Sequence, residues 1–91
     1  MLGNLGVAYA GLGDAERAID FYDQSLTMAI EIGDQRGQAR AILNKGQVYA
    51  HLGKHAQAID HAETALKIFE EVEDPNAIKA RELLTLWRQS S

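Results

Sequence analysis

Residues 4–20 read NLGVAYAGLGDAERAID, and residues 44–60 read NKGQVYAHLGKHAQAID. At this offset of forty, nine residues are identical between these two stretches, and twelve are identical between residues 4–34 and residues 44–74. The identical pairs are Asn4/Asn44, Gly6/Gly46, Tyr9/Tyr49, Ala10/Ala50, Leu12/Leu52, Gly13/Gly53, Ala18/Ala58, Ile19/Ile59, Asp20/Asp60, Leu26/Leu66, Glu31/Glu71 and Asp34/Asp74. An internal period of roughly 20 to 50 residues is typical of a solenoid, in which each unit buries its apolar face against the next. The repeat therefore predicts the architecture.

The apolar residues fall at helical spacing along the whole chain. The spacing predicts five helices, over residues 2–12, 15–32, 35–52, 54–73 and 75–89. Because the connections between these helices are so short, successive helices must run antiparallel. We therefore expect an all-α fold, a right-handed α-solenoid of helix hairpins.

The residues between the predicted helices are those that end and begin helices. Gly33 and Gly53 can adopt the left-handed conformation that closes a helix. Asp34 can accept hydrogen bonds from the first free N–H groups of the next helix. Asp74 followed by Pro75 is a start signal, because proline at the first helical position loses only an N–H that has no partner in the helix.

Composition and charge restrict the classes of function. The chain has 91 residues, no cysteine and a formal charge of −4, and its nine basic residues are scattered. A surface that follows phosphates needs clustered Lys and Arg, so nucleic acid is not an expected partner. No apolar run approaches the roughly 20 residues that span a bilayer, and no signal peptide is visible. The expectation is one soluble, cytoplasmic domain without a membrane contact or a cofactor.

The repeated residues resemble the tetratricopeptide repeat, whose pattern is a large residue, Leu-Gly, Tyr, Ala, an aromatic residue and Ala. The first copy has Leu2, Leu5-Gly6, Tyr9, Ala18, Tyr22 and Ser25, and the second has Ile42, Lys45-Gly46, Tyr49, Ala58, Ala62 and Ala65. Lys45 departs from the usual Leu, and Ala62 departs from the usual aromatic residue. The period of forty and the linker EIGD at residues 31–34 are similar to the long-helix variant in kinesin light chain and in bacterial and archaeal arrays.

The resemblance implies a single domain, residues 1–91, that binds a protein or peptide. Repeat 1 then covers about residues 1–34, repeat 2 about 35–74, and a capping helix about 75–89. The first repeat begins at about the third position of its motif, and Leu86 stands where the motif has Gly. We therefore expect a C-terminal fragment of a longer array, ended by an atypical terminal helix.

A polar stripe on the third predicted helix is the strongest candidate for a binding site. Arg40, Asn44, Gln47 and His51 share one helical face, and the resemblance places this face on the concave surface. It also implies that Asn4 and Asn44 hold the main chain of an extended peptide, since an amide both donates and accepts. The predicted peptide-binding groove comprises Asn4, Val7, Arg40, Asn44, Gln47, His51, Leu84 and Trp87.

Each candidate residue also has a simpler interpretation. A polar stripe can be the solvated side of a helix, and Trp87 can be an aromatic that covers the core. His51 and His55 have the spacing of a metal pair, but Gly53 separates two helices between them and no third ligand completes a site. We expect no metal, and no residue set for catalysis can be assembled, so an enzyme is not expected.

Two classes of function stay open. One is a module that binds a peptide or protein in the groove. The other is a structural, self-associating terminal segment of a longer array, with no ligand of its own. Because a severed solenoid exposes the face that a preceding repeat covers, we expect the isolated chain to form a homodimer through its N-terminal hairpin.

Overall fold

The computed structural model describes residues 15–90, and this part of the chain contains four helices and no strand. The helices are α1 (Ala15–Ile32), α2 (Gln35–His51), α3 (His55–Glu71) and α4 (Asn76–Ser90). The expectation of an all-helical chain is confirmed over this range, and each bound lies within two residues of its prediction. The helix predicted over residues 2–12, which carries Asn4 and Val7, lies outside the described residues.

The three turns between the helices close in the same way. The N–H groups of Asp34, Lys54 and Asp74 donate to carbonyls five residues earlier, at distances of 2.8, 2.9 and 2.8 Å. The residue before each donor has a positive φ: 73° at Gly33, 77° at Gly53 and 56° at Glu73. This hydrogen-bond pattern satisfies carbonyls that the end of a helix leaves without partners. The chain therefore reverses about every twenty residues.

Two of the three turns also contain an aspartate that caps the next helix. Oδ1 of Asp34 accepts from the Gly37 N–H at 2.9 Å, as the sequence predicts. Oδ1 of Asp74 accepts from the Asn76 N–H at 2.8 Å. An aspartate at this position satisfies a free donor of the first turn, and its charge interacts favourably with the helix dipole.

Ion pairs between neighbouring helices show that the helices run antiparallel. Glu63 on α3 pairs with Arg88 on α4, with 2.6 Å between Oε2 and Nη2, and Glu70 pairs with Arg81. The partner thus moves back along α4 as the position advances along α3. Each helix packs mainly on its neighbours in sequence.

Small residues let these helices approach closely. The main core cluster contains Leu43, Phe69, Leu84 and Trp87 among fully buried alanines of α2, α3 and α4. A Cβ atom at Gly46 would lie 3.1 Å from the His61 Cβ and 3.2 Å from the Ala58 carbonyl oxygen. A side chain at this position would therefore require α3 to move by a few tenths of an ångström.

No helix between residues 15 and 90 is long and apolar enough to span a membrane.

Candidate functional site

The predicted polar stripe lies on α2, and its four side chains are reachable from solvent. Arg40 and His51 are exposed, whereas Asn44 and Gln47 are half-buried. No hydrogen bond or ion pair within the described chain is assigned to any of these side chains. The stripe borders two clefts, with Arg40 and Asn44 facing α1 in one and Gln47 and His51 facing α4 in the other.

The first of these, the α1–α2 cleft, contains Arg40 and Asn44 and has a volume of about 350 Å³. Its α1 wall is largely apolar, and its α2 wall is small or polar. The lining residues are Phe21, Tyr22, Ser25, Met28, Ala29, Ile32, Asp34, Gly37, Arg40, Ala41 and Asn44. Burial raises the pKa of the Tyr22 phenol above its ordinary value.

The second, the α2–α4 cleft, contains Gln47 and His51 and has a volume of about 360 Å³. It brings two imidazoles and one amide against an apolar wall from α4. The lining residues are Gln47, Ala50, His51, His55, Leu83, Leu86 and Trp87. Leu86 is a largely exposed apolar side chain, 55% accessible, and so offers this cleft a surface for an apolar group.

The two groove residues predicted on the last helix are placed differently from each other. Leu84 is 4% exposed, belongs to the main core cluster and lines neither cleft. Trp87 is 5% exposed and packs in the same cluster, yet part of it lines the α2–α4 cleft. Its ring approaches Gly46, since a Cβ there would be 3.6 Å from the Trp87 Cζ3. Trp87 therefore serves the core and the cleft together.

Sequence reasoning missed the residues that wall the clefts. Met28 and Ile32 on α1, and Leu83 and Leu86 on α4, were not among the predicted site residues. The sequence did contain a signal for Met28 and Ile32, which are four residues apart and so share one helical face. The helix predicted over residues 2–12 is too short to cover this end of α1, so an exposed apolar surface could have been predicted there. His55 was considered only as a metal ligand, but it lines the same cleft as His51. Among residues 15–90, no group of three or more His, Cys, Asp or Glu side chains is arranged to hold a metal ion.

Lys45 links α2 to α1 outside the first cleft, since neither Lys45 nor Asp23 lines that cleft. Its Nζ lies 2.6 Å from Oδ1 of Asp23, and only 15% of the lysine side chain is exposed. The lysine that departs from the repeat pattern thus forms an ion pair between α2 and α1, at a position where the pattern would place an apolar contact.

The helices and clefts define a class of protein: a helical-repeat protein whose antiparallel hairpins recur every forty residues and leave clefts along one helix. The sequence profile of the tetratricopeptide repeat family matches residues 1–86. The chain therefore belongs to the tetratricopeptide repeat family, as the repeated residues indicate.

Among curated proteins, the chain is similar to the outer dynein arm-docking complex subunit 4 of Danio rerio. The two are 36% identical over 72 residues, which cover 75% of this chain and 15% of that protein. The chain thus spans only a small part of this relative's length. No solved structure matches the chain significantly.

Proposed function

We propose that this chain is a protein interaction domain whose α2 face binds an extended segment of a partner protein. Membership of the tetratricopeptide repeat family supports a role in protein interaction. The relative from Danio rerio is named as a subunit of a docking complex, which is consistent with such a role. The observation that carries the proposal is the pair of clefts along α2, with half-buried Asn44 in one and Gln47 in the other.

The chemistry of the stripe suits a peptide main chain. The amides of Asn44 and Gln47 can each donate to a carbonyl and accept from an N–H. From Arg40 to His51 the helix rises about 16 Å, which corresponds to about five residues of extended peptide. The apolar walls on both sides can receive alternate side chains. This combination favours a segment with apolar residues two apart over a strongly charged one.

The finer architecture belongs to the same proposal. We infer one domain over residues 1–91, with repeats at about 1–34 and 35–74 and a capping helix at about 75–89, wound as a five-helix right-handed solenoid. This division is supported by the forty-residue spacing between α1 and α3 and between the turns that follow them, at Gly33 and Glu73. No chemical step is assigned to the domain.

The direct test is Asn44→Ala, measured by titration calorimetry with a peptide selected against the 91-residue chain from a random display library. The substitution removes hydrogen bonds in a partly buried cleft, so affinity should fall by about 1 to 2 kcal/mol, roughly 5- to 30-fold. Gln57→Ala is the matched control, because Gln57 is an exposed amide on α3 that lines neither cleft. Equal binding by both variants, or a library that yields no binder, would contradict the proposal.

Self-association is the second candidate function. It is favoured by three exposed apolar side chains near the end of α1: Met28, Ile30 and Ile32, accessible to 66%, 58% and 77%. A second copy of the chain could cover them. Light scattering at high micromolar concentration should then report a dimer, which Met28→Ser with Ile32→Ser returns to monomer. Only monomer for the unchanged chain would rule this function out.

A further inference from the structure

The charges around the α2–α4 cleft differ from those of the chain as a whole. The chain has a formal charge of −4, yet none of the seven residues that line this cleft is acidic. Two of them are histidines: His51 is exposed and ends α2, and His55 is half-buried and begins α3. The cleft therefore contains two imidazoles and no carboxylate.

Two lysines border the same cleft. Lys54 is an exposed residue of the turn between the two histidines. Lys79 is exposed on α4 and stands four positions before Leu83, so it shares the helical face that walls the cleft. The position of Lys54 is occupied by aspartate elsewhere at intervals of twenty residues, at Asp14, Asp34 and Asp74. The surroundings of this cleft are therefore positive in a chain that is negative overall.

The acidic residues of the neighbouring helices do not face the cleft. On α4, Glu82 stands one position before Leu83, which places it about 100° further around the helix. On α3 the first acidic residue, Asp60, lies five positions beyond His55 and so on a different side of the helix. The helix α2 has no Asp or Glu. Within residues 15–90, no carboxylate forms an ion pair with His51 or His55.

We propose that the α2–α4 cleft binds an acidic side chain of the partner segment, and that protonation of His51 and His55 strengthens this contact as the pH falls. The inference rests on the proposed function and adds the charge of the partner and a response to pH. An imidazole takes up a proton between about pH 5 and 8, whereas the carboxylate of a peptide stays ionised there. The protonated ring donates from both nitrogens and attracts a carboxylate.

The direction of the pH effect follows from the charges. The acidic side chain prefers the protonated rings, so the affinity rises as the pH falls and levels off once both rings are charged. Lys54 and Lys79 stay charged over this range and supply an attraction that does not depend on pH.

The α4 wall determines what stands beside the acidic residue. Leu86 is 55% exposed and Trp87 is 5% exposed, and both line the cleft opposite His51. In an extended segment, side chains two positions apart lie on the same side. An apolar residue two positions from the acidic one can therefore cover Leu86 while the carboxylate faces the imidazoles. The matching partner has a single acidic residue beside an apolar one, not a run of charges.

The test selects peptides from a random display library against the full 91-residue chain, separately at about pH 7.5 and about pH 6.0. Peptides selected at the lower pH should carry Asp or Glu two positions from an apolar residue. In fluorescence anisotropy, such a peptide should bind about three- to tenfold more tightly at the lower pH. The same peptide with the acidic residue replaced by its amide should lose this difference.

The chain offers a matched control among its three histidines. The double variant His51→Gln with His55→Gln should abolish the rise in affinity at the lower pH. His61→Gln should keep it, because His61 lines neither cleft and packs on the Tyr49 ring, with 5.0 Å between the ring centroids. Circular dichroism at both pH values shows whether each variant is folded.

The possible failures can be told apart. If the library yields no binder at either pH, the proposed function fails and this inference fails with it. Binders without an acidic residue, or a rise in affinity that persists when both His51 and His55 are replaced, overturn this inference alone. Light scattering that shows the unliganded chain dimerising at the lower pH, but not in the double variant, would assign the carboxylate to a second copy and also overturn it.

Discussion

At the residue scale, the three positive-φ positions are not equivalent. Gly33 and Gly53 adopt the left-handed conformation without a steric penalty, but Glu73 holds it at φ 56° with a full side chain. The left-handed region costs a non-glycine residue roughly 1 to 2 kcal/mol. Sequence reasoning identified the two glycines as helix ends. It did not anticipate the left-handed conformation of Glu73, because a glutamate carries no signal for it, although the forty-residue period aligns Glu73 with Gly33.

Replacing Glu73 with glycine should therefore stabilise the fold. The gain from relieving the backbone is partly offset by the greater freedom of glycine in the unfolded chain, which leaves about 0.5 to 1 kcal/mol. Glu73→Gly should raise the free energy of unfolding measured by chemical denaturation. The control Glu82→Gly places glycine at an exposed position inside α4 and should lower the free energy of unfolding by about 1 kcal/mol. A Glu73→Gly variant that is destabilised to the same extent would show that the strain is absent.

At the scale of elements, α2 is one of the two inner helices of the described part of the chain, with α1 on one side and α3 on the other. It packs on α1 through Val48 and on α3 and α4 through Ala39 and Leu43, and it carries the polar stripe. The shared face of the stripe could be predicted, because it follows from helical spacing alone. The two clefts that the stripe borders could not be predicted, since their opposite walls come from side chains on α1 and α4.

The Lys45–Asp23 pair tests how α1 is attached to α2. Removing one partner, as in Asp23→Asn, leaves a mostly buried ammonium without its carboxylate and should cost about 1 kcal/mol, less than for a fully buried pair because Asp23 is half exposed. Lys45→Leu restores the usual residue of the repeat pattern and should be neutral or stabilising. Chemical denaturation of both variants distinguishes the two effects. If Lys45→Leu is the more destabilised variant, the ion pair itself stabilises the contact.

At the scale of the whole molecule, the forty-residue period was the feature from which the fold could be predicted. The turns at Gly33, Gly53 and Glu73 reverse the chain about every twenty residues. Two of these three turns could be predicted from the sequence, because a glycine stands at the left-handed position. Leu84 stands at the repeat position of Asn44, which is why it was predicted to lie in the groove. Its side chain is buried in the main core cluster, and its contact with a partner stays a prediction.

The central claim is that one partner segment contacts both clefts along α2. Chemical-shift mapping by NMR, with a peptide selected against the full chain, tests it most directly. The account predicts that the side-chain amides of Asn44 and Gln47 and the indole N–H of Trp87 shift together and saturate with one dissociation constant, while Gln57 on α3 does not respond. Shifts confined to one cleft, or centred on the exposed face of α3, would contradict it.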